Sequence, residues 1–413
     1  ACFAQLPTAS EVASKMYPGW NLGNTMEGNN NGKNFSNDVG LAGETSWQGT
    51  KTTKAIIDFV KSKGFKSVRI PCNWVCGHIS DASTCTIDAT WMARVKEIVD
   101  YCISDGLYVV LNDHYDGGWV EKSFDDISEA AISKNSATMK TIWTQIANEF
   151  KNYDEHLLFA GLNEPDVSNQ KQTDALLKYE QAFVDAVRAT GGNNETRTLI
   201  VQGPSTDIDK TLNYFSAMPT DAVANRLMVE VHYYSPSQFT GVWENGKPYY
   251  FWGAANHVPS GSYKNYNSTW GEESYLSAQF NKMKAKFADK GIPVLLGEFG
   301  ANWRSIGNTI AQKKHDASIK LFNKLVVQNA INCGMVPFVW DINVANQNKT
   351  NGIMTVINRG NCSVFCTPAL EGIMEGASSG KWTIATGIDA VKSETANLPV
   401  KAYSLQGQLV TPN

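Results

Sequence analysis

The sequence predicts a closed (β/α)8 barrel, and three observations lead there. Eight short apolar runs recur along the 413 residues, amphipathic helical stretches alternate with them, and no low-complexity linker divides the series. Runs rich in Val, Ile, Leu and Phe suit parallel strands buried on both faces. Eight such alternations point to a single barrel, although the chain is long for one domain. The strand-like runs are 19–22, 67–70, 108–111, 157–161, 198–201, 227–231, 294–296 and 337–339. Between them, Trp91, Val95, Val99 and Cys102 recur every three or four residues up to Gly106, and Leu176, Tyr179, Phe183 and Val187 do so up to Gly191. That spacing marks one buried helix face ending at a glycine. Helices are also expected over 55–63, 137–153, 272–289 and 317–332. An open doubly wound sheet competes, but it would carry a glycine-rich phosphate turn after its first strand, and Gly19-Trp20-Asn21-Leu22-Gly23 lacks that spacing.

The barrel is expected to span 5–376. From 377 to 413 the chain turns small and polar, and the stretch 399–407 faintly resembles the sorting appendages of bacterial secreted proteins; the alternative is a packed tail. A segment this short falls below the ~40 residues at which an unstapled domain becomes self-sufficient.

The net charge of -4 offers no basic field for nucleic acid or an anionic membrane, so neither is an expected partner. No window approaches the ~18 apolar residues of a membrane-spanning helix. Residues 1–5 fit the small-residue end of a trimmed secretory signal. Among eight cysteines, Cys76 with Cys85 and Cys362 with Cys366 lie in polar, loop-like stretches. Local disulfides there would fit an oxidising, secreted or cell-surface location; free thiols are the other reading. Cys72 and Cys76 lack a second ligand pair at zinc-finger spacing.

In a (β/α)8 barrel, residues just past each strand share one catalytic rim. Here they are Asn21 and Asn24, Arg69, Asn112, Asp113 and His114 with Trp119 soon after, Asn163 and Glu164, His232 and Tyr234, Glu298, and Trp340. Glu164 and Glu298 each follow an apolar run, where an unpaired carboxylate is costly without a purpose. Two such carboxyls are what retaining glycoside hydrolysis requires, one to attack the sugar carbon and one to protonate the departing oxygen. Arg69 either neutralises a core acid or holds Glu298 ionised. His114 and His232 are either core histidines or hydrogen-bonding partners of a sugar and the carboxylates. No His-Glu-x-x-His helix supports a metal. Trp47, Trp119, Trp340 and the aromatic-rich stretch 233–270 divide between core packing and platforms for pyranose rings.

The runs Gly19 to Glu27, Val68-Arg69-Ile70-Pro71, Asn112 to Trp119, Leu162-Asn163-Glu164-Pro165, His232-Tyr233-Tyr234 and Gly297-Glu298-Phe299-Gly300 occur in chain order. Together they resemble glycoside hydrolase family 5, in its endo-β-1,4-glucanase (cellulase) branch from microbes that digest plant fibre. The resemblance implies a retaining mechanism without a cofactor, a β-glucan polysaccharide as substrate and a monomeric enzyme. It implies that Glu164 is the acid/base and Glu298 the nucleophile. Asn163 would bind the 2-hydroxyl, Trp340 would stack under the sugar at the cleavage point, and Arg69 and Tyr234 would orient the nucleophile; His114 and His232 match other active-site positions. Tyr115 departs from the pattern, standing where many relatives have a second histidine. Xyloglucan, mixed-linkage glucan or mannan are alternative polymers for the same chemistry. A noncatalytic carbohydrate-binding barrel is the alternative of a different class, against which the two intact glutamates argue.

Overall fold

A computed structural model of the chain describes residues 6–241, 247–344 and 352–384, together with the backbone of the paired strands Ala402–Tyr403 and Leu409–Val410. Trp243, residues 1–5 and most of the C-terminal segment lie outside the described residues. Eight parallel strands close into a barrel: β1 (Gly19–Asn21), β2 (Ser67–Ile70), β3 (Tyr108–Asn112), β4 (Leu157–Ala160), β5 (Leu199–Gln202), β6 (Leu227–Tyr233), β7 (Val294–Phe299) and β8 (Met335–Val339). The circle is completed where β1 pairs with both β2 and β8. Each expected run falls on one of these strands.

The principal helices are α1 (Lys54–Ser62), α2 (Ala89–Ser104), α3 (Glu129–Phe150), α4 (Gln170–Ala189), α5 (Ile208–Tyr214), α6 (Glu273–Lys286), α7 (Thr309–Asn332) and α8 (Thr367–Ser379). Side chains of Asp88, Ser128, Asn169 and Asn308 cap the N-termini of α2, α3, α4 and α7. The Ser128 cap explains why α3 begins well before the expected 137, since none of its residues before 137 is buried and they show no apolar period. The short α5 was not foreseen.

Strand residues alternate between two cores. Val68, Val109, Leu157, Phe159, Val201, Val229, Val231 and Leu296 pack outward against the helices. Tyr108, Val110, Leu158, Ile200, Met228, Leu295, Val336 and Phe338 point into the barrel, where a short N-terminal helix, Ala9–Ala13, adds Ala9, Val12 and Ala13 and closes the lower end. That helix is fixed by a reciprocal capping box between Thr8 and Glu11. The seven described cysteines are all free, so neither Cys76 with Cys85 nor Cys362 with Cys366 is bridged. Among the described residues, no helix is long and apolar enough to cross a membrane.

Candidate active site

Going up the barrel, the inward positions change from apolar to polar. Asn21 on β1, Arg69 on β2, Asn112 on β3, Gln202 on β5, Glu230 and His232 on β6 and Glu298 on β7 are all buried at the upper end. Glu298 lies inside β7 rather than just past it, because the strand carries one extra residue. Leu296 pairs with Val231 and Glu298 with His232, leaving Gly297 as a bulge. A Cβ on Gly297 would sit 1.9 Å from Glu230 Oε1, so this position requires glycine.

Arg69 organises the site. Its guanidinium donates to Glu298 Oε1 and Asn21 Oδ1, both at 3.0 Å, and to Asn163 Oδ1 at 2.7 Å, and it lies 3.1 Å from Glu230 Oε1. Tyr234 donates its hydroxyl to the second Glu298 oxygen at 2.9 Å. His232 faces a carboxylate on each side: Nδ1 is 2.7 Å from Glu164 Oε1 and Nε2 is 3.2 Å from Glu230 Oε1. An oxygen of Glu164, an oxygen of Glu298 and a ring nitrogen of His232 all lie within 4.8 Å of one another. These three groups are close enough to hold a cation. However, both His232 nitrogens are engaged by carboxylates, and Arg69 and Tyr234 occupy the two oxygens of Glu298, an arrangement suited to proton transfer.

Burial sets the electrostatics and the charges redistribute it. Burial alone would lower the His232 pKa, but Glu298, Glu164 and Glu230 outweigh it and raise it to about 10. Burial pushes the Glu298 carboxyl up, opposed by His232 and Arg69. Glu230 is also fully buried, yet Arg69, His232 and Gln202 hold it below the ordinary carboxylate value. Arg69, His232, Glu230 and Glu298 therefore form a buried, hydrogen-bonded cluster of ionisable groups under Glu164, whose side chain is 39% exposed to the cleft against 7% for Glu298.

The remaining expected residues are placed variously. His114 is buried, and its ring stacks on the half-buried Trp340 at 5.7 Å and 9°. Asn24 is half-buried in the loop after β1, with its backbone N–H on Glu27. Trp47 is 45% exposed on the same long connection. Trp119 turns inward, its indole N–H reaching Asp113 at 3.2 Å and its ring meeting Phe35 edge-on. Beside Glu164, a cavity of about 280 Å³ is lined by the β5 loop from Ser205 to Asp209 and by Trp270 and Tyr275. Sequence reasoning missed this loop, which has no aromatic residue or motif to mark it.

Two buried carboxylates also escaped it. Glu121 Oε1 accepts the backbone N–H of Asn163 at 2.6 Å and of Glu164 at 2.8 Å. Asp341 accepts the Trp20 indole N–H at 3.0 Å and the N–H groups of Val356 and Ile357, anchoring the loop that begins with Trp340. Glu230 was legible in principle, as a charge inside the apolar run Leu227-Met228-Val229-Glu230-Val231.

Comparison with known proteins agrees with this geometry. Residues 29–346 match the family model described as cellulase (glycosyl hydrolase family 5). Endoglucanase A of Paenibacillus barcinonensis is 35% identical over 390 residues, covering 89% of this chain and 90% of that protein. A crystal structure of XEG5B, a xyloglucan-specific β-1,4-glucanase from a ruminal metagenomic library in complex with XXLG, superposes with a TM-score of 0.84 at 48% identity, covering 92% of this chain and 98% of that one. A broad-specificity endoglucanase from Ruminococcus champanellensis with bound cellotriose gives a TM-score of 0.74 at 32% identity, covering 91% and 100%. With its barrel, its paired rim glutamates and these matches over nearly its whole length, the chain belongs to glycoside hydrolase family 5.

Proposed function

We propose that this glycoside hydrolase cleaves internal β-1,4-glucosidic bonds by double displacement, with Glu298 as nucleophile and Glu164 as acid/base. The observation that carries the reading is the approach of the two carboxyls, one oxygen of each lying within 4.8 Å. Retaining enzymes hold the pair at ~5–5.5 Å, whereas inverting ones need ~6.5–9.5 Å to admit a water between them. Arg69 and Tyr234 fix both oxygens of Glu298, which favours its anionic form in a buried site and aims it at the anomeric carbon. Glu164, the carboxyl open to the cleft, gives its proton to the departing oxygen. The same group then takes a proton from water, which releases the glycosyl unit from Glu298 with retained configuration.

Asn163 turns its carbonyl to Arg69, leaving its amide N–H groups for a sugar hydroxyl. Trp340, backed by His114, offers an indole face to the apolar side of the ring, and Trp47 extends the aromatic surface outward. The substrate is a β-glucan polysaccharide, too large to enter a cell, so the enzyme acts in secreted or cell-surface form. Xyloglucan as the preferred polymer is favoured by the 48% identity to the xyloglucan-specific structure and by the polar cavity beside Glu164, which has room for a branch. Reducing-sugar release from xyloglucan, mixed-linkage glucan, carboxymethyl cellulose, mannan and xylan tests this directly. Glu298→Gln and Glu164→Gln should fall to background; full activity in either would reject the mechanism, and silence on every polymer would favour a binding protein.

A further inference from the structure

The turn after β3, at the upper end of the barrel, is strained. Four consecutive residues, Tyr115, Asp116, Gly117 and Gly118, have φ of 55°, 50°, 65° and 71°. This is natural for the two glycines and costly for the two residues before them. Tyr115 has ψ of -53°, and Asp116 donates its N–H to the His114 carbonyl at 2.5 Å. Tyr115 is therefore the central residue of a positive-φ γ-turn, the rare and strained form.

A buried carboxylate holds the turn in place. Both oxygens of Asp116 accept backbone N–H groups, from Val75 and Cys76, at 2.7 Å each. Glu121, which closes the same loop, accepts the backbone N–H groups of Asn163 and Glu164, so the segment that carries Tyr115 also holds the backbone of the proposed acid/base. This construction leaves the Tyr115 ring 43% exposed, next in sequence to the His114 that backs Trp340. Backbone strain of this kind persists only where the surroundings over-determine it, and it collects at functional sites. A half-exposed ring supplies little packing energy to justify it.

We propose that Tyr115 is a sugar-contacting residue, a fixed platform whose ring face receives the apolar C–H face of a glucosyl unit next to the bond being cleaved. The assignment rests on the proposed roles of Glu164 and Glu298. It predicts opposite responses of stability and activity. Tyr115→Gly relieves the strain and removes the ring, so the melting temperature should hold or rise while kcat/KM on soluble β-glucan falls about 3- to 10-fold, mostly through KM. Tyr115→Phe keeps the ring face and should stay within about twofold of the parent on the same substrate. A Tyr115→Gly enzyme with unchanged kcat/KM, or one that loses melting temperature along with activity, would overturn the proposal. Failure of the underlying mechanism shows separately, as activity retained by Glu298→Gln in the same assay.

Discussion

The two halves of the barrel interior are built from the same strands in opposite ways. Below, Leu158, Ile200, Met228, Leu295, Val336 and Phe338 fill the lumen with the N-terminal helix as a plug, and every one of them is buried against apolar neighbours. Above, the next inward positions are Asn21, Arg69, Asn112, Gln202, Glu230, His232 and Glu298, equally buried but held by hydrogen bonds and charge. The lower half gains stability from every residue it buries. The upper half has to compensate the desolvation of each ion with a partner, so its arrangement makes sense only as chemistry.

The largest effect should come from breaking the upper half at its centre. Arg69→Met leaves Glu230 and Glu298 without their shared cation. Unfolding free energy should fall by about 3–5 kcal/mol, and kcat by on the order of 10²–10³ through loss of preorganised charge. Denaturant titration and initial rates measure both; a variant that keeps its activity would mean that Arg69 serves packing alone. The matching cut below is Leu158→Ala, which removes atoms from the apolar lumen and should cost about 2–5 kcal/mol. Its kcat per folded molecule should not change, and a large drop would show that the two halves are coupled.

The contrast also explains what the sequence could reveal. Strands were legible because both cores demand apolar residues, so each strand appears as a continuous run. Glu164 and Glu298 stood out by following such runs. Glu230 breaks one, but a single glutamate with no motif around it carries no sign that Arg69 will meet it from another strand and His232 from two residues along its own. The Gly297 bulge was hidden for a similar reason: the extra residue shows only against the register of β6 and β8. Glu121 and Asp341 lie in loops, where a carboxylate is ordinarily solvated, and only tertiary structure shows that they collect backbone N–H groups.

Glu230 allows a finer test of the upper half. Glu230→Gln keeps the shape but removes one anion, so Arg69 and His232 face a cluster with one carboxylate fewer. His232 loses part of what raises its pKa to about 10, and its imidazole titration, followed by NMR, should move to lower pH. At the optimum kcat/KM should fall about tenfold, equivalent to ~1.4 kcal/mol. A titration in the same place would mean that Glu230 does not help to hold the His232 proton.

The smallest effect separates the halves by pH alone. Burial raises the pKa of Glu27 to about 7 and of Glu121 and Glu180 to about 8. Each binds a proton in the folded state that the unfolded chain would release, so each withdraws stability as pH rises from the ordinary carboxylate value toward its folded one. His232 has the same sign: its contribution is complete below the ordinary imidazole value and is lost as pH rises through about 10. Glu230, held below the ordinary value, opposes them only at the acid end, where its stabilisation is lost as pH falls. The melting temperature should therefore decline by a few degrees from mildly acidic to alkaline pH, and Glu121→Gln should flatten the slope. The apolar residues that fill the lower half titrate nowhere in this range. A slope unchanged by Glu121→Gln would mean that this buried carboxylate is not among the groups that set it, whereas a flattened one would assign part of the cost of alkaline pH to the clamp that holds Glu164.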